Sequence, residues 1–206
     1  HVMPLVAQWF NSGFIEHRTL LTAGIGESFL AEKISSFEAA LPSHIKLAYL
    51  PNYGMVRLRL SAWGNDQNAL NKELDNQFNQ LKNNILEYLV TDKDEPMEMV
   101  IGHLLQQKKQ TVATAESCTG GYIAHLLSRH AGSSTFYTGS IISYANIIKE
   151  QLLDVPHDTL MTVGAVSKEA VTQMVISVRD KMNTDYAIAV SGIMGPAGAT
   201  EEKAVG

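Results

Sequence analysis

The stretch Thr114-Ala115-Glu116-Ser117-Cys118-Thr119-Gly120-Gly121 most constrains the fold, because two opposite kinds of sequence meet in it. Before it, Thr111 to Ala115 alternate small polar and apolar side chains, a strand pattern; after Gly121, Tyr122, Ile123, Leu126 and Leu127 recur at helical spacing. A strand turning straight into a helix leaves the first helical N–H groups unpaired, facing whatever sits over the turn. Ser117 stands at this turn with Glu116 and Cys118 beside it, and the two glycines allow close approach to the backbone. A nucleophile and oxyanion donors are therefore available together. Ser117 or Thr119 can also serve merely as a helix cap, and the stretch alone favours that reading over catalysis. It is not a Walker A loop, a dinucleotide fingerprint or a Gly-x-Ser-x-Gly elbow, since Ala115 and Thr119 stand where the elbow needs glycines.

Composition narrows the classes. The 206 residues, 45% hydrophobic, suit one ordinary domain or two small ones with a real core. A net charge of −5 with interspersed signs shows no polybasic face, so nucleic acid is not the expected partner. One cysteine excludes an internal disulfide and a multi-cysteine zinc site, and suits a reducing compartment. No apolar run nears the ~20 residues of a membrane span and no signal-peptide pattern opens the chain, so a cytoplasmic location is expected. His125 and His130, the closest histidine pair, miss the i,i+4 spacing of a helical metal site. Neither a metal nor a cofactor is expected. The chain starts at His1 and stops at Gly206 in a glycine-rich stretch, which reads as a fragment at both ends.

Leu5, Val6, Trp9 and Phe10 would share a helix face within residues 1 to 17, grouped as the tail of an upstream domain. Arg18 to Ala23 reads as a strand, and Gly24-Ile25-Gly26 turns it into a helix through Leu41 that Pro42 ends. Ile45 to Leu50 and Met55 to Ala62 read as a hairpin. Leu70, Leu74, Phe78, Leu81, Ile85 and Leu89 mark a long amphipathic helix. The order β-α-β-β-α over 18–90 makes a small α+β domain. Its Gly-x-Gly turn and its Arg57 and Arg59 read as structural, the arginines on a solvated sheet face.

Thr91 to Pro96 is a charged break, and a second domain is expected over 97–206. Met97 to Lys108 reads as a helix, Gly139 to Tyr144 as a strand, Ala145 to Leu153 as a helix, and Ser167 as the cap of another helix. Asp185 to Ser191 reads as a strand buried on both faces. Alternating strands and helices predict an α/β three-layer domain with a mainly parallel sheet, whose ligands bind beyond the carboxyl ends of its strands. Ser117, Tyr144 and the loop from Gly192 all follow strand ends.

These residues resemble the competence- and damage-inducible CinA family. Its C-terminal domain carries the signature seen at Thr114 to Gly121, and further matches are Ser143-Tyr144, Asn146, Lys149, Gly164 to Ser167, and Ser191 through Gly195-Pro196 to Glu202-Lys203. The first half resembles the family's KH-like middle domain through Gly24 to Ser28, Ala48 to Pro51 and Val56 to Leu60. The resemblance implies an upstream molybdopterin-binding-like domain outside this chain and a C-terminal domain that is incomplete at its end. It also implies a homo-oligomer.

The activity implied is hydrolysis of the carboxamide of nicotinamide mononucleotide (NMN) to nicotinic acid mononucleotide and ammonia. In that scheme Ser117 attacks, Lys149 accepts its proton and Tyr144 orients or relays it. Glu116, Thr119, Gly120, Gly121, Asn146, Gly192, Gly195, Gly198 and Thr200 are the implied substrate-binding residues, with backbone N–H groups at Thr119 to Gly121 holding oxyanion or phosphate. Lys149 is a base only when neutral, which requires disfavouring its cation by roughly 3–5 kcal/mol. Ala199 departs from the glycine of the family pattern, and strain at a positive φ is expected there. A nucleotide-binding scaffold without turnover and an adaptor in competence or DNA damage remain the alternatives.

Overall fold

The computed structural model describes residues 13–201 and 203–205, and the chain divides into two compact units, His1–Pro96 and Met97–Gly206. The helix expected around Leu5 to Phe10 lies outside the described residues.

In the first unit β1 (Phe14–Ala23) leads to α1 (Glu27–Ala39), the hairpin β2 (Ile45–Asn52) and β3 (Met55–Gly64), then α2 (Gln67–Asn84) and β4 (Leu89–Thr91). The sheet order is β2-β3-β1-β4, antiparallel throughout. Alternation decides the faces: Leu20 of β1, Ile45 of β2 and Val56, Leu58, Leu60 and Ala62 of β3 share one core with Leu30, Ile34 and Phe37 of α1 and Leu70, Leu74 and Leu81 of α2. β1 starts at Phe14, so Phe14 to His17, which the sequence pattern groups with an upstream tail, continue the ladder with β3 out to Gly64. Leu89 is also placed differently. The helical stripe stops at Ile85, and Leu89 pairs with Thr22 as the edge strand β4, because the free side of β1 needs backbone partners that another helical turn cannot supply. Arg57 is not simply solvated: it donates to Asp94 and to the Glu95 carbonyl.

The second unit runs α3 (Met97–Lys108), β5 (Val112–Glu116), α4 (Tyr122–Ser128), a short 3-10 turn at Ser133–Thr135, β6 (Tyr137–Ile142), α5 (Asn146–Leu153), α6 (His157–Thr162), α7 (Lys168–Met182) and β7 (Tyr186–Val190). The sheet order is β6-β5-β7, all parallel. Ala113 and Ala115 present one face of β5 to Ala170, Met174 and Val178 of α7, small residues that let the helix lie close. Val112, on the other face, packs with Leu105 of α3, Leu127 of α4 and Phe136. Helices on both faces of a parallel sheet complete the three layers. Ser167 caps α7 by accepting from the Ala170 N–H, as its sequence position predicts.

Two details depart from expectation. β6 ends at Ile142 rather than Tyr144, which releases Ser143 and Tyr144 into the loop above the sheet. β7 is not buried on both faces: it pairs only with β5 among the described residues, and Tyr186 and Ile188 are 46% and 39% exposed. Among the described residues no helix is long and apolar enough to cross a membrane.

Candidate active site

Three strand ends meet at Ser117. Its N–H donates to the Val190 carbonyl at the end of β7, and the Ser143 N–H just past β6 donates to the Glu116 carbonyl. The chain therefore leaves β5, β6 and β7 at one edge of the sheet, where a doubly covered parallel sheet binds its ligands. Ser117 is 8% exposed.

Lys149, on the first turns of α5, closes the arrangement. Its Nζ is 2.9 Å from Ser117 Oγ, donates to the Ser143 carbonyl at 2.6 Å and reaches the Tyr144 carbonyl at 3.3 Å. The residue is 1% exposed, and no carboxylate forms an ion pair with it among the described residues. Burial pushes the amine below the ordinary lysine range, against a smaller opposing effect of the Cys118 thiol. A neutral amine has two N–H donors and one lone pair. In that form the two carbonyls would take the donors, and the lone pair would be left for the Ser117 hydroxyl.

Glu116, expected as a substrate contact, has its carboxylate engaged by the protein itself. Fully buried, it accepts five hydrogen bonds: from the Thr119 hydroxyl (2.7 Å), the N–H groups of Gly121 (3.1 Å) and Ile123 (3.0 Å), the Ala124 N–H (2.7 Å) and the Thr114 hydroxyl (3.3 Å). Burial alone would raise its pKa. The bonds from Thr119, Ala124, Ile123 and Gly121 outweigh that and hold the carboxyl below its ordinary value.

The expected anion site over Thr119 to Gly121 is accordingly reduced. The Gly121 N–H goes to Glu116 and the Gly120 N–H to the Ser117 carbonyl, while the N–H groups of Cys118 and Thr119 have no acceptor among the described residues. The glycines serve backbone geometry, with φ of +59° at Gly120 and +98° at Gly121. A Cβ on Gly121 would lie 2.8 Å from Ile142 Cδ1.

The other expected residues are arranged less tightly. The Tyr144 side chain is 75% exposed, and only its carbonyl touches Lys149. Asn146 is exposed at the start of α5. Gly192 follows β7 beside Ser117, but Gly192, Gly195, Gly198 and Thr200 make no hydrogen bond to Ser117, Glu116 or Lys149. Thr200 bonds instead to Lys203 within the same loop, and Lys203 Nζ donates to the Val163 carbonyl at 2.6 Å. The left-handed residues there are Gly195 (φ +75°) and Gly198 (φ +98°); Ala199 is not left-handed, so the strain expected at it does not arise. Ser143, which the sequence reading does not assign to the site, is fully buried and supplies the shortest contact to Lys149. Its signal was its position at a strand end directly before Tyr144. Among the described residues no group of three His, Cys, Asp or Glu side chains could hold a metal.

Comparison with known proteins identifies the family. Residues 94–206 match the family model of the CinA C-terminal domain, and residues 17–91 match that of the damage-inducible protein CinA KH domain. The CinA-like protein of Cytophaga hutchinsonii is 45% identical over 197 residues, 96% of this chain and 47% of that protein. The CinA-like protein of Flavobacterium psychrophilum is 44% identical over 196 residues, 95% of this chain and 47% of its own. The chain thus spans about half the length of these curated relatives. Among solved structures, the competence/damage inducible protein CihA of Agrobacterium tumefaciens superposes with a TM-score of 0.51 at 39% identity, over 52% of this chain and 66% of that one. The competence damage-inducible protein A of Klebsiella pneumoniae gives 0.51 at 32% identity, over 53% and 68%. The chain, with its KH-like first unit and its parallel-sheet second unit carrying the Ser117 turn, belongs to the CinA family.

Proposed function

We propose that the second unit is an amidohydrolase that converts NMN to nicotinic acid mononucleotide and ammonia, with Ser117 as nucleophile and Lys149 as general base. The observation that carries the chemistry is the buried amine 2.9 Å from the serine hydroxyl, its remaining contacts being two carbonyls. NMN as the substrate is what the resemblance to CinA proteins implies.

An amide is a poor electrophile, so its hydrolysis needs an activated nucleophile, a proton carrier and a place for the oxyanion. Neutral Lys149 takes the Ser117 proton as Oγ bonds to the carboxamide carbon, and the carbonyl electrons move onto oxygen. When that oxyanion collapses, the C–N bond breaks and the Lys149 ammonium gives its proton to the departing nitrogen, releasing ammonia. Water then attacks the acyl-serine with Lys149 again accepting a proton, and Ser117 leaves with that proton restored. Cys118 is half-buried and forms no hydrogen bond with Lys149. The nucleophile is therefore assigned to Ser117.

The test is ammonia release from NMN by the full-length protein and its Ser117→Ala variant. The expected result is release by the wild type and a fall of about 10⁴-fold or more in the variant, the scale seen when a serine nucleophile is deleted. No release from the wild type would overturn the amidase reading and favour a nucleotide-binding scaffold or an adaptor in competence or DNA damage. Equal release from both proteins would remove Ser117 from the mechanism.

A further inference from the structure

The α4 terminus presents a puzzle for a site that handles a phosphorylated substrate. Its first N–H groups point toward the turn where an anion would be welcome, yet the protein fills the place itself. Glu116 Oε2 takes the N–H groups of Gly121 and Ile123 and the Thr119 hydroxyl, Oε1 takes the Ala124 N–H, and the Tyr122 N–H goes to the Thr119 carbonyl. A substrate phosphate would find these donors already satisfied and a negative charge in front of it.

The four bonds from Thr119, Gly121, Ile123 and Ala124 to the carboxylate fix the chain on both sides of Ser117. Glu116 ends β5, and Thr119 to Ala124 begin α4, so one carboxylate ties strand to helix across the nucleophile. The turn between them is closed by the Gly120 N–H on the Ser117 carbonyl, and within it the N–H groups of Cys118 and Thr119 have no acceptor among the described residues. Unpaired donors adjoining a nucleophile are what a developing oxyanion requires.

We infer that Glu116 is a positioning residue: its buried carboxylate holds the Ser117 turn so that the Cys118 and Thr119 N–H groups remain free to receive the oxyanion, and it closes the α4 terminus to the substrate's phosphate. The inference rests on the amidase reading. It assigns Glu116 no contact with substrate. Its influence therefore falls on kcat and not on KM.

Glu116→Gln is the variant to measure in the full-length protein. The amide keeps the shape, but its NH₂ group is a donor facing N–H donors, so the five bonds cannot all survive. With NMN, kcat should fall about 100-fold, the effect of losing one oxyanion donor, with KM within about threefold of the wild type. Glu116→Asp keeps the charge but is one methylene short, and should retain more activity than Glu116→Gln. A second readout avoids NMN: phenylmethanesulfonyl fluoride should sulfonylate Ser117, the Oγ–S bond forming as S–F breaks and the serine proton passing to Lys149. Glu116→Gln should slow this labelling by a comparable factor.

A folded Glu116→Gln protein with wild-type kcat and labelling rate would overturn the inference. So would a variant in which KM rises and kcat holds. A wild type that labels at Ser117 but releases no ammonia from NMN would overturn the substrate assignment and leave Glu116 to be judged by labelling alone. A wild-type Ser117 inert to both would overturn both readings. Should Glu116→Gln fail to fold, Thr119→Val removes one donor to the carboxylate, and a wild-type kcat in that variant would count against the inference.

Discussion

The chain makes the same local connection twice, a strand running through a glycine turn into a helix, and uses it for two purposes. After β1, the turn Gly24-Ile25-Gly26 is largely open to solvent, Gly24 takes φ +78°, and α1 begins at Gly26 with no side-chain cap. After β5, Glu116 and Ser117 are buried, the carboxylate fills the helix end, and Lys149 reaches the serine from a different helix. Backbone shape is shared. What differs is the burial of polar groups with few partners to choose from, which is costly unless each is satisfied. The first unit stores its free energy in an aliphatic core; the second gives up part of its interior to Thr114, Glu116, Ser117, Ser143 and Lys149.

That contrast is broken most sharply at Lys149. Lys149→Met should lower ammonia release about 10³-fold or more, the contribution of a positioned base. Stability should change by no more than ~2 kcal/mol, because relief of a buried amine offsets the donors lost to the Ser143 and Tyr144 carbonyls. Parallel activity and thermal-melt measurements on the variant check both, and an active Lys149→Met protein would remove the base from the mechanism.

The two buried groups give pH signatures of the same sign in different windows. Lys149 is held below the ordinary lysine value of 10.5, so between its folded pKa and that value the unfolded chain binds more protons. Its contribution to stability therefore improves as pH rises through this window, and activity rises as the amine loses its proton. Glu116 is held below 4.5, so its contribution is full above that value and is lost as pH falls through the lower folded pKa. A rate profile whose alkaline rise persists in Lys149→Met would show that another group carries it.

Leu58 tests the other side of the comparison. It is fully buried in the first unit's core, and Leu58→Ala should cost roughly 3 kcal/mol, within the usual range for such truncations. Ammonia release per folded molecule should not change. A chemical melt beside an activity assay decides it, and a loss of kcat in the folded variant would mean that the two units share more than a chain.

Much of this architecture was legible because it rests on periodicity. The alternation of Val56, Leu58 and Leu60 with Arg57 and Arg59, and the helical stripe from Leu70 to Ile85, each follow from one local period. Strand ends were legible only in part: β4 and the end of β6 are set by which backbone neighbours remain unpaired, a property of the assembled sheet. In the site, Ser117 could be marked from its turn, but a lone lysine 32 residues further on carries no local signal, and its assignment came from the family pattern. Glu116 reads from the sequence as a substrate contact, whereas in the structure its carboxylate is bonded to the turn and helix start around it. Sequence shows that a carboxylate lies beside a helix start; only packing shows that it folds back to fill it.

The smallest effect expected is at the open turn. Gly26 has φ −76° and ψ 154°, an extended geometry that any residue adopts, and a Cβ there would meet Phe29 Cδ2 at an ordinary 3.8 Å. Gly26→Ser should therefore fit without strain, give α1 the hydroxyl acceptor that it lacks and restrict the unfolded chain. Together these stabilise by about 0.5–1 kcal/mol. The rise should appear in the thermal melt with ammonia release unchanged. No comparable gain is open at the β5 turn, where the carboxylate already holds the helix start, so a Gly26→Ser variant that proved less stable would show that the first turn is also held by contacts beyond its own backbone.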